Sequence, residues 1–272
     1  MARPMWSGTI SFGLVNIPIK LFNAVKKKTL QFHQLRKSDG CRIKLKRVCS
    51  NDGNEVPKEE IVKGFEVAPE QYVIISPEEI ENVYPKSSRR IEIADFVDLE
   101  QIDPIYFEHS YYLTPEKGME KAYSLLLIAM KKSQKTAIAS FVLRNKQYIA
   151  AIRPTNNVIT LSTMFFSDEI ISQEKLEDLP TEEHQPNERE LSIALQLIES
   201  LSSSFTPEKY HNEYREKLLS MIESKAEGQV ITQQPIIEQG GKVVDLMAAL
   251  EASLSALKKK TPTKSRRKKA HA

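Results

Sequence analysis

Four carboxylates, Asp95, Asp98, Asp103 and Glu108, share one short stretch of the chain. Clustered carboxylates can hold Mg²⁺ for phosphodiester chemistry, which would make Asp95, Asp98 and Asp103 the centre of a metal-dependent nuclease. Their spacing matches no metal motif, and Asp103-Pro104 reads equally well as a turn between strands. Cys41, Cys49 and His33 are zinc-type ligands, but no C-x₂-C pair and no fourth ligand accompanies them. Gly241-Lys242 ends like a P-loop, yet Ile236 occupies the first Gly position, and Val243 replaces the Ser or Thr that would hold the metal. No G-x-G-x-x-G occurs. No catalytic residue is assigned on this basis, and no metal, cofactor or small-molecule substrate is expected.

The basic residues form a stronger pattern. Lys26, Lys27, Lys28, Arg36, Lys37, Arg42, Lys44, Lys46 and Arg47 are interrupted by one acid, Asp39. The net charge of +3 conceals an asymmetry: both ends are cationic and the middle is acidic. Such a distribution points to a polyanionic partner. Duplex DNA carries a charge about every 1.7 Å, so a row of cations can follow its backbone. Backbone contacts position a protein without reading sequence. Aromatics do not interleave with the cations as a single-strand stacking platform requires, and no helix-turn-helix, zinc-finger or RNP signature appears. The residues alone therefore point to a non-specific duplex binder.

Elements must hold these groups. From Trp6 to Phe22 the apolar residues alternate, but Trp6, Ile10 and Phe12 are even-numbered while Val15, Ile17, Ile19 and Leu21 are odd. Such a slip swaps faces, so a bulge or tight turn is expected near Gly13-Leu14. Pro18 pushes the second strand toward an edge or an irregular pairing. Arg42 to Val48 reads as a period-2 strand with Arg42, Lys44 and Lys46 about 6.6 Å apart on one face and Ile43 and Leu45 on the other. Further strands are expected at 72–75, 91–97, 105–113, 136–143, 147–152 and 158–165, a density that suggests a barrel or sandwich. Ser76-Pro77-Glu78-Glu79 looks like a capping box. Thr114-Pro115 is read as opening a longer helix whose face carries Met119, Ala122, Tyr123, Leu126, Ala129 and Met130. Lys131, Lys132 and Lys135, at its end, are further candidate DNA contacts, although they equally complement the helix dipole.

The last third is helical. Asn187 to Glu190 resembles a capping box before a stripe of Leu191, Ala194, Leu195, Ile198 and Leu201. Thr206-Pro207 starts another helix, with Tyr210, Tyr214, Leu218, Met221 and Ile222 facing inward, and Gly228 ends it. After a linker, Val243, Met247, Leu250, Leu254 and Leu257 form a narrow 4-3-4-3 seam suited to docking on another helix, in a partner or in the chain itself. Lys258, Lys259, Lys260, Lys264, Arg266, Arg267, Lys268 and Lys269 then make a tail that cannot bury a core and is expected to be disordered. Cys41 and Cys49 would lie about 26 Å apart on one strand, beyond disulfide reach. Few cysteines, no signal peptide and no apolar run longer than Leu125 to Met130 fit a cytoplasmic protein without a membrane span.

The string Arg3 to Pro18 (RPMWSGTISFGLVNIP) resembles the opening signature of the bacterial Ku family. Further blocks resemble that family in order: FHQL and DGCRIK (32–44), VPKEEIVKGFE (56–66), IDPIYFEHSYYL (102–113), AIASFVLR (137–144), PEKYHNEYREKLLSMIESKAEG (207–228) and VVDLMAALEASL (243–254). Arg36 stands where His is often expected. The resemblance implies a mainly β core, a Ku-type β-barrel, with helical C-terminal extensions, α+β overall. It implies a homodimeric ring around double-stranded DNA, the short bacterial form without the added N-terminal α/β domain of eukaryotic relatives. It further implies no catalytic activity and recruitment of an ATP-dependent DNA ligase for end joining, at the nucleoid.

The expected division is a barrel core with DNA-encircling insertions (1–185), a helical part for the core or dimer (186–228), a linker and partner-docking helix (229–257) and the basic tail (258–272). Two other classes stay open: an architectural nucleoid protein, which would coat closed circles as readily as linear DNA, and the nuclease, which would cut DNA with Mg²⁺ or Mn²⁺.

Overall fold

The computed structural model describes residues 3–83, 89–144, 146–177, 179, 186–228 and 246–260. The chain divides into two compact units, residues 1–175 and 176–272, ten residues earlier than the expected boundary.

The first unit is built on a closed barrel. Its strands are β1 (Trp6–Phe12), β2 (Val15–Asn23), β5 (Arg90–Asp98), β6 (Phe107–Pro115), β7 (Lys135–Leu143), β8 (Lys146–Thr155) and β9 (Val158–Met164). They run in the order β1-β2-β6-β9-β8-β7-β5, and β5 returns to β1 in parallel. The slip in alternation is a hairpin: Phe12 pairs with Val15 across Gly13-Leu14, and Gly13 takes φ 58° at the first loop position. Ile10 therefore faces Ile17 across the pair, and both are buried. Pro18 is not on an edge, since the barrel has none. Its carbonyl accepts the Glu116 amide at 3.0 Å, just where the β2–β6 ladder ends, so no rung requires its missing N–H.

Inward residues alternate as the pleat demands: Ile17, Ile19 and Leu21 on β2, Ala137, Ala139 and Phe141 on β7, Ala150 and Ile152 on β8, Ile159 and Leu161 on β9. A seven-stranded barrel is narrow, and the alanines make room for the larger side chains opposite.

Helix α2 (Glu120–Ser133) joins β6 to β7 and packs on β7 and β8. It does not begin at Thr114-Pro115: those residues end β6, paired with Lys20 and Ile19. A strand ladder satisfied the groups that a helix cap would have needed. Tyr123, Leu126, Leu127 and Met130 are buried, while Met119 and Ala129 are exposed. The Tyr123 hydroxyl donates to the Leu113 carbonyl at 2.6 Å and accepts the Ile159 amide at 2.7 Å, tying α2 to neighbouring strands β6 and β9.

Between β2 and β5 lies a largely exposed insertion. It holds a two-stranded sheet, β3 (Lys63–Ala68) with β4 (Gln71–Ile75), and α1 (Pro77–Val83) behind the expected capping box: Ser76 Oγ accepts the Glu79 amide and Glu79 accepts the Ser76 amide. β3 had no counterpart among the expected strands.

The second unit contains α3 (Glu188–Leu201), α4 (Glu213–Ala226) and α5 (Leu246–Lys260). Asn187 and Glu190 cap α3 reciprocally at 2.9 Å. α4 starts at Glu213 behind Asn212 rather than at Thr206-Pro207, where a single 3-10 turn forms. Gly228 follows its end at φ 78°. Of the residues expected inward, Tyr210, Tyr214, Met221 and Ile222 are exposed and Leu218 is half-buried.

Candidate nucleic-acid interface

The expected strand from Arg42 to Val48 does not form. Only two isolated bridges occur, Leu35↔Arg42 and Val48↔Glu55. Each closes a separate small loop, and the two loops share one hydrogen-bond pattern. The Arg36 amide donates to the Cys41 carbonyl at 2.8 Å and the Gly40 amide to the Arg36 carbonyl at 2.9 Å. Cys49, Asn54 and Gly53 repeat both bonds at the same lengths. The two ends of the period-2 run thus pair with different neighbours, no continuous ladder exists, and Leu45 is left 89% exposed. Arg42, Lys44 and Lys46 are presented from irregular chain rather than from a strand face.

Side-chain carboxylates reinforce the loops. Arg36 grips Asp39 through two guanidinium nitrogens, its Nε at 2.9 Å. That guanidinium, and then the Cys41 amide, hold the Asp39 carboxyl below its ordinary range. Asp52 is lowered likewise, chiefly by the Asn54 amide. Lys46 Nζ meets Glu55 at 2.5 Å. The other seven cations of this segment, Lys26, Lys27, Lys28, Lys37, Arg42, Lys44 and Arg47, are exposed and make no ion pair with a described residue. An exposed pair holds its partner weakly, so even Arg36 and Lys46 can exchange a carboxylate for a phosphate.

The remaining candidates are placed unevenly. Lys131 and Lys132 are exposed in the last turn of α2, whereas Lys135 is bound to Asp98 at 2.8 Å. Lys258, Lys259 and Lys260 belong to α5, which runs past the expected start of the tail. Lys264, Arg266, Arg267, Lys268 and Lys269 lie outside the described residues, as does Val243. Met247, Leu250 and Leu254 are half-buried, Leu257 belongs to the same helix, and α5 packs on α3, with Arg189 reaching Glu251 at 3.2 Å. The seam therefore meets a helix of its own chain. On α3 the half-buried residues are Glu190, Ile193, Ala194 and Leu197, while Leu191, Leu195, Ile198 and Leu201 remain exposed.

Three of the four carboxylates serve separate partners. Asp98 serves Lys135, Asp103 caps the Ile105 amide at 2.9 Å, and Glu108 accepts from Thr163 at 3.2 Å. Among the described residues no three His, Cys, Asp or Glu side chains converge as metal ligands would. Cys41 and Cys49 are free thiols. Among the described residues no helix is long and apolar enough to cross a membrane. One cation passed over in the sequence stands out here: Arg153 on β8 is half-buried, and among the described residues its Nε has no hydrogen-bond partner. Nothing in its local sequence marks it, because its surroundings come from neighbouring strands.

Residues 11–193 match the family model described as the Ku70/Ku80 beta-barrel domain. The chain is similar to the non-homologous end joining protein Ku of Anaeromyxobacter sp. (strain K), 49% identical over 261 residues, covering 96% of this chain and 88% of that one. It is similar to the protein of the same name from Heliobacterium modesticaldum, 42% identical over 274 residues and 99% of both chains. A third relative of that name, from Koribacter versatilis, is 41% identical over 258 residues, 95% of this chain and 88% of its own.

Proposed function

This chain belongs to the Ku family, and we propose from that premise that it binds double-stranded DNA ends, without reading their sequence, in non-homologous end joining. The observation that carries the reading is the exposed segment from Lys26 to Arg47, inserted in a Ku-family barrel protein and rich in cations that lack carboxylate partners. Cations of this kind bind duplex DNA by releasing counterions from its phosphates, so affinity falls with salt and does not depend on sequence. The basic residues after Lys258 add to the same term.

Two copies form a ring, and the ring supplies the preference for ends: a closed ring can be entered only where the duplex stops. The bare apolar stripe of Leu191, Leu195, Ile198 and Leu201 supports self-association, because amphipathic faces of this kind are normally covered. Two identical chains would close a two-fold dimer. The protein has no catalytic step of its own, bridges ends in the cytoplasm at the nucleoid, and recruits an ATP-dependent DNA ligase. α5 is the candidate recruiting element, and it would have to leave α3 or offer its outer face to do so.

The test compares linear duplex with covalently closed circles of equal length. Linear DNA should bind more tightly and saturate at a number of dimers that grows with fragment length, since loaded rings slide inward. Equal affinity for both forms would replace this reading with that of an architectural protein.

A further inference from the structure

Arg153 lies in β8 opposite Thr160 of β9. Its neighbours along the strand, Ile152 and Ala150, point into the barrel core, so the pleat turns Arg153 and Ala151 to the outer wall. That part of the wall is closely packed: Ala151, Thr160 and Ser162 are buried although they face outward. Arg153 is drawn into this packing. Among the described residues its buried Nε has no hydrogen-bond partner and its guanidinium no ion pair. Lys135 and Lys146, also on barrel strands, have Asp98 at 2.8 Å and Glu169 at 3.9 Å. Arg144 has no such partner among the described residues either, but it is exposed.

A guanidinium is always charged and offers five N–H donors in a planar fork. Burying part of that fork with its donors unmet is unfavourable, and replacing such a group by an apolar one is often neutral or stabilising. An acceptor brought to the buried Nε would remove that cost. The fork matches the paired oxygens of a phosphate or carboxylate. The neighbours on its face favour phosphate, because they are hydroxyls: Thr160 directly across in β9 and Thr155 along the same strand. Thr155, two residues along on the same face, accepts the Thr160 hydroxyl at 2.9 Å, which leaves its own hydroxyl hydrogen uncommitted.

We propose that Arg153 and the Thr155 hydroxyl form an oxyanion site on the outer wall of the barrel that takes a phosphate group. The phosphate is either one of the DNA backbone, in which case the site rests on the function proposed above, or free inorganic phosphate. Backbone phosphate would extend the DNA contact from the insertion onto the barrel.

The test uses the full chain and the variant Arg153→Met. Thermal melting, read from the fluorescence of Trp6, is measured in chloride buffer with and without inorganic phosphate at constant ionic strength. Phosphate should raise the wild-type Tm and leave that of Arg153→Met unchanged. Without phosphate the variant should melt at or above wild type, since an unmet charge has gone. An equal phosphate shift in both proteins, or a lower Tm for the variant without phosphate, overturns the site and makes Arg153 structural. Phosphorus NMR of inorganic phosphate titrated with wild type gives a reading that needs no variant, and an unbroadened, unshifted signal also overturns the site. Salt titration of linear duplex binding separates the two sources. A drop of about 0.9 per chain in the log–log slope for Arg153→Met assigns the site to the DNA backbone, and an unchanged slope assigns it to free phosphate. If wild type shows no preference for linear DNA but keeps the phosphate shift, the proposed function fails and the site stands.

Discussion

Removing one oxygen atom from the barrel should cost much of its stability. In Tyr123→Phe the ring still fills its place against Leu113 and Ile159, but two backbone groups lose their partner: the Leu113 carbonyl, bonded at 2.6 Å, and the Ile159 amide, bonded at 2.7 Å. Both residues are fully buried and Tyr123 itself is 5% exposed, so water cannot replace the hydroxyl without opening α2. Each buried group left unmet costs about 1–3 kcal/mol, and the pair together about 2–6 kcal/mol. With an m-value of about 2–3 kcal/mol/M in urea, the midpoint should fall by about 1–3 M at unchanged m. Trp6 is the only tryptophan, and its ring lies 6.2 Å from Phe141 in the barrel, so its fluorescence reports this unit. A midpoint shift below about 0.3 M at the same m-value would refute the reasoning and mean that strands β6 and β9 re-satisfy themselves. pH supplies a second signature. Burial raises the Tyr123 phenol above its ordinary value, and the hydrogen bond from the Ile159 amide only partly offsets this. The fold thus favours the neutral phenol. Its contribution is complete below the unfolded value of about 10 and is lost as pH climbs from there toward the folded value. Tyr111, raised first by burial and then by Tyr148 and Glu108, acts in the same direction. Stability of wild type should therefore fall above about pH 10 more steeply than that of Tyr123→Phe, which retains only the Tyr111 share.

Three further outcomes follow from particular residues. A Cβ at Gly8 would lie 2.0 Å from the Trp6 ring and 2.5 Å from the Arg89 carbonyl, which accepts the Thr9 amide where β5 joins β1. Gly8→Ala should thus destabilise the barrel by about 1–3 kcal/mol in urea unfolding and change Trp6 emission, and an unaltered midpoint would mean that this closure is slack. Arg42→Ala with Lys44→Ala should lower the salt slope of duplex binding by about 0.9 per lost contact on every sequence tested, while Lys46→Ala, whose amine already holds Glu55, should do less; an unchanged slope places these cations off the DNA. Leu195→Glu with Ile198→Glu should dissolve the dimer in sedimentation experiments and leave Trp6-detected unfolding of the barrel unchanged, because both side chains are exposed in the single chain; a persistent dimer would move the self-association surface elsewhere.

What the sequence determined by itself is what short-range physics determines. The reciprocal caps of Ser76 with Glu79 and Asn187 with Glu190 were readable because each spans three residues and needs nothing else. The hairpin at Gly13-Leu14 was readable from the change of parity, and the barrel strands from alternation. The family was readable because many blocks agree in order. Tertiary structure decided whether a pattern finds a partner. Arg42 to Val48 alternates as well as β7 does, but no neighbour supplies a ladder, and the run dissolves into two loops. Thr114-Pro115 looks like a helix start, but Ile19 and Lys20 claim it for β6. The α3 stripe has the right period, yet the half-buried face is that of Ile193, Ala194 and Leu197. Tyr123 and Arg153 are the extreme cases. A phenol that ties a helix to two strands, and a buried guanidinium Nε with no acceptor among the described residues, are properties of groups brought together from distant parts of the chain. Only closure of the barrel brings them there, because a strand's hydrogen-bonding partners and the surroundings of an outward side chain are chosen by register between strands and not by the order of residues within one.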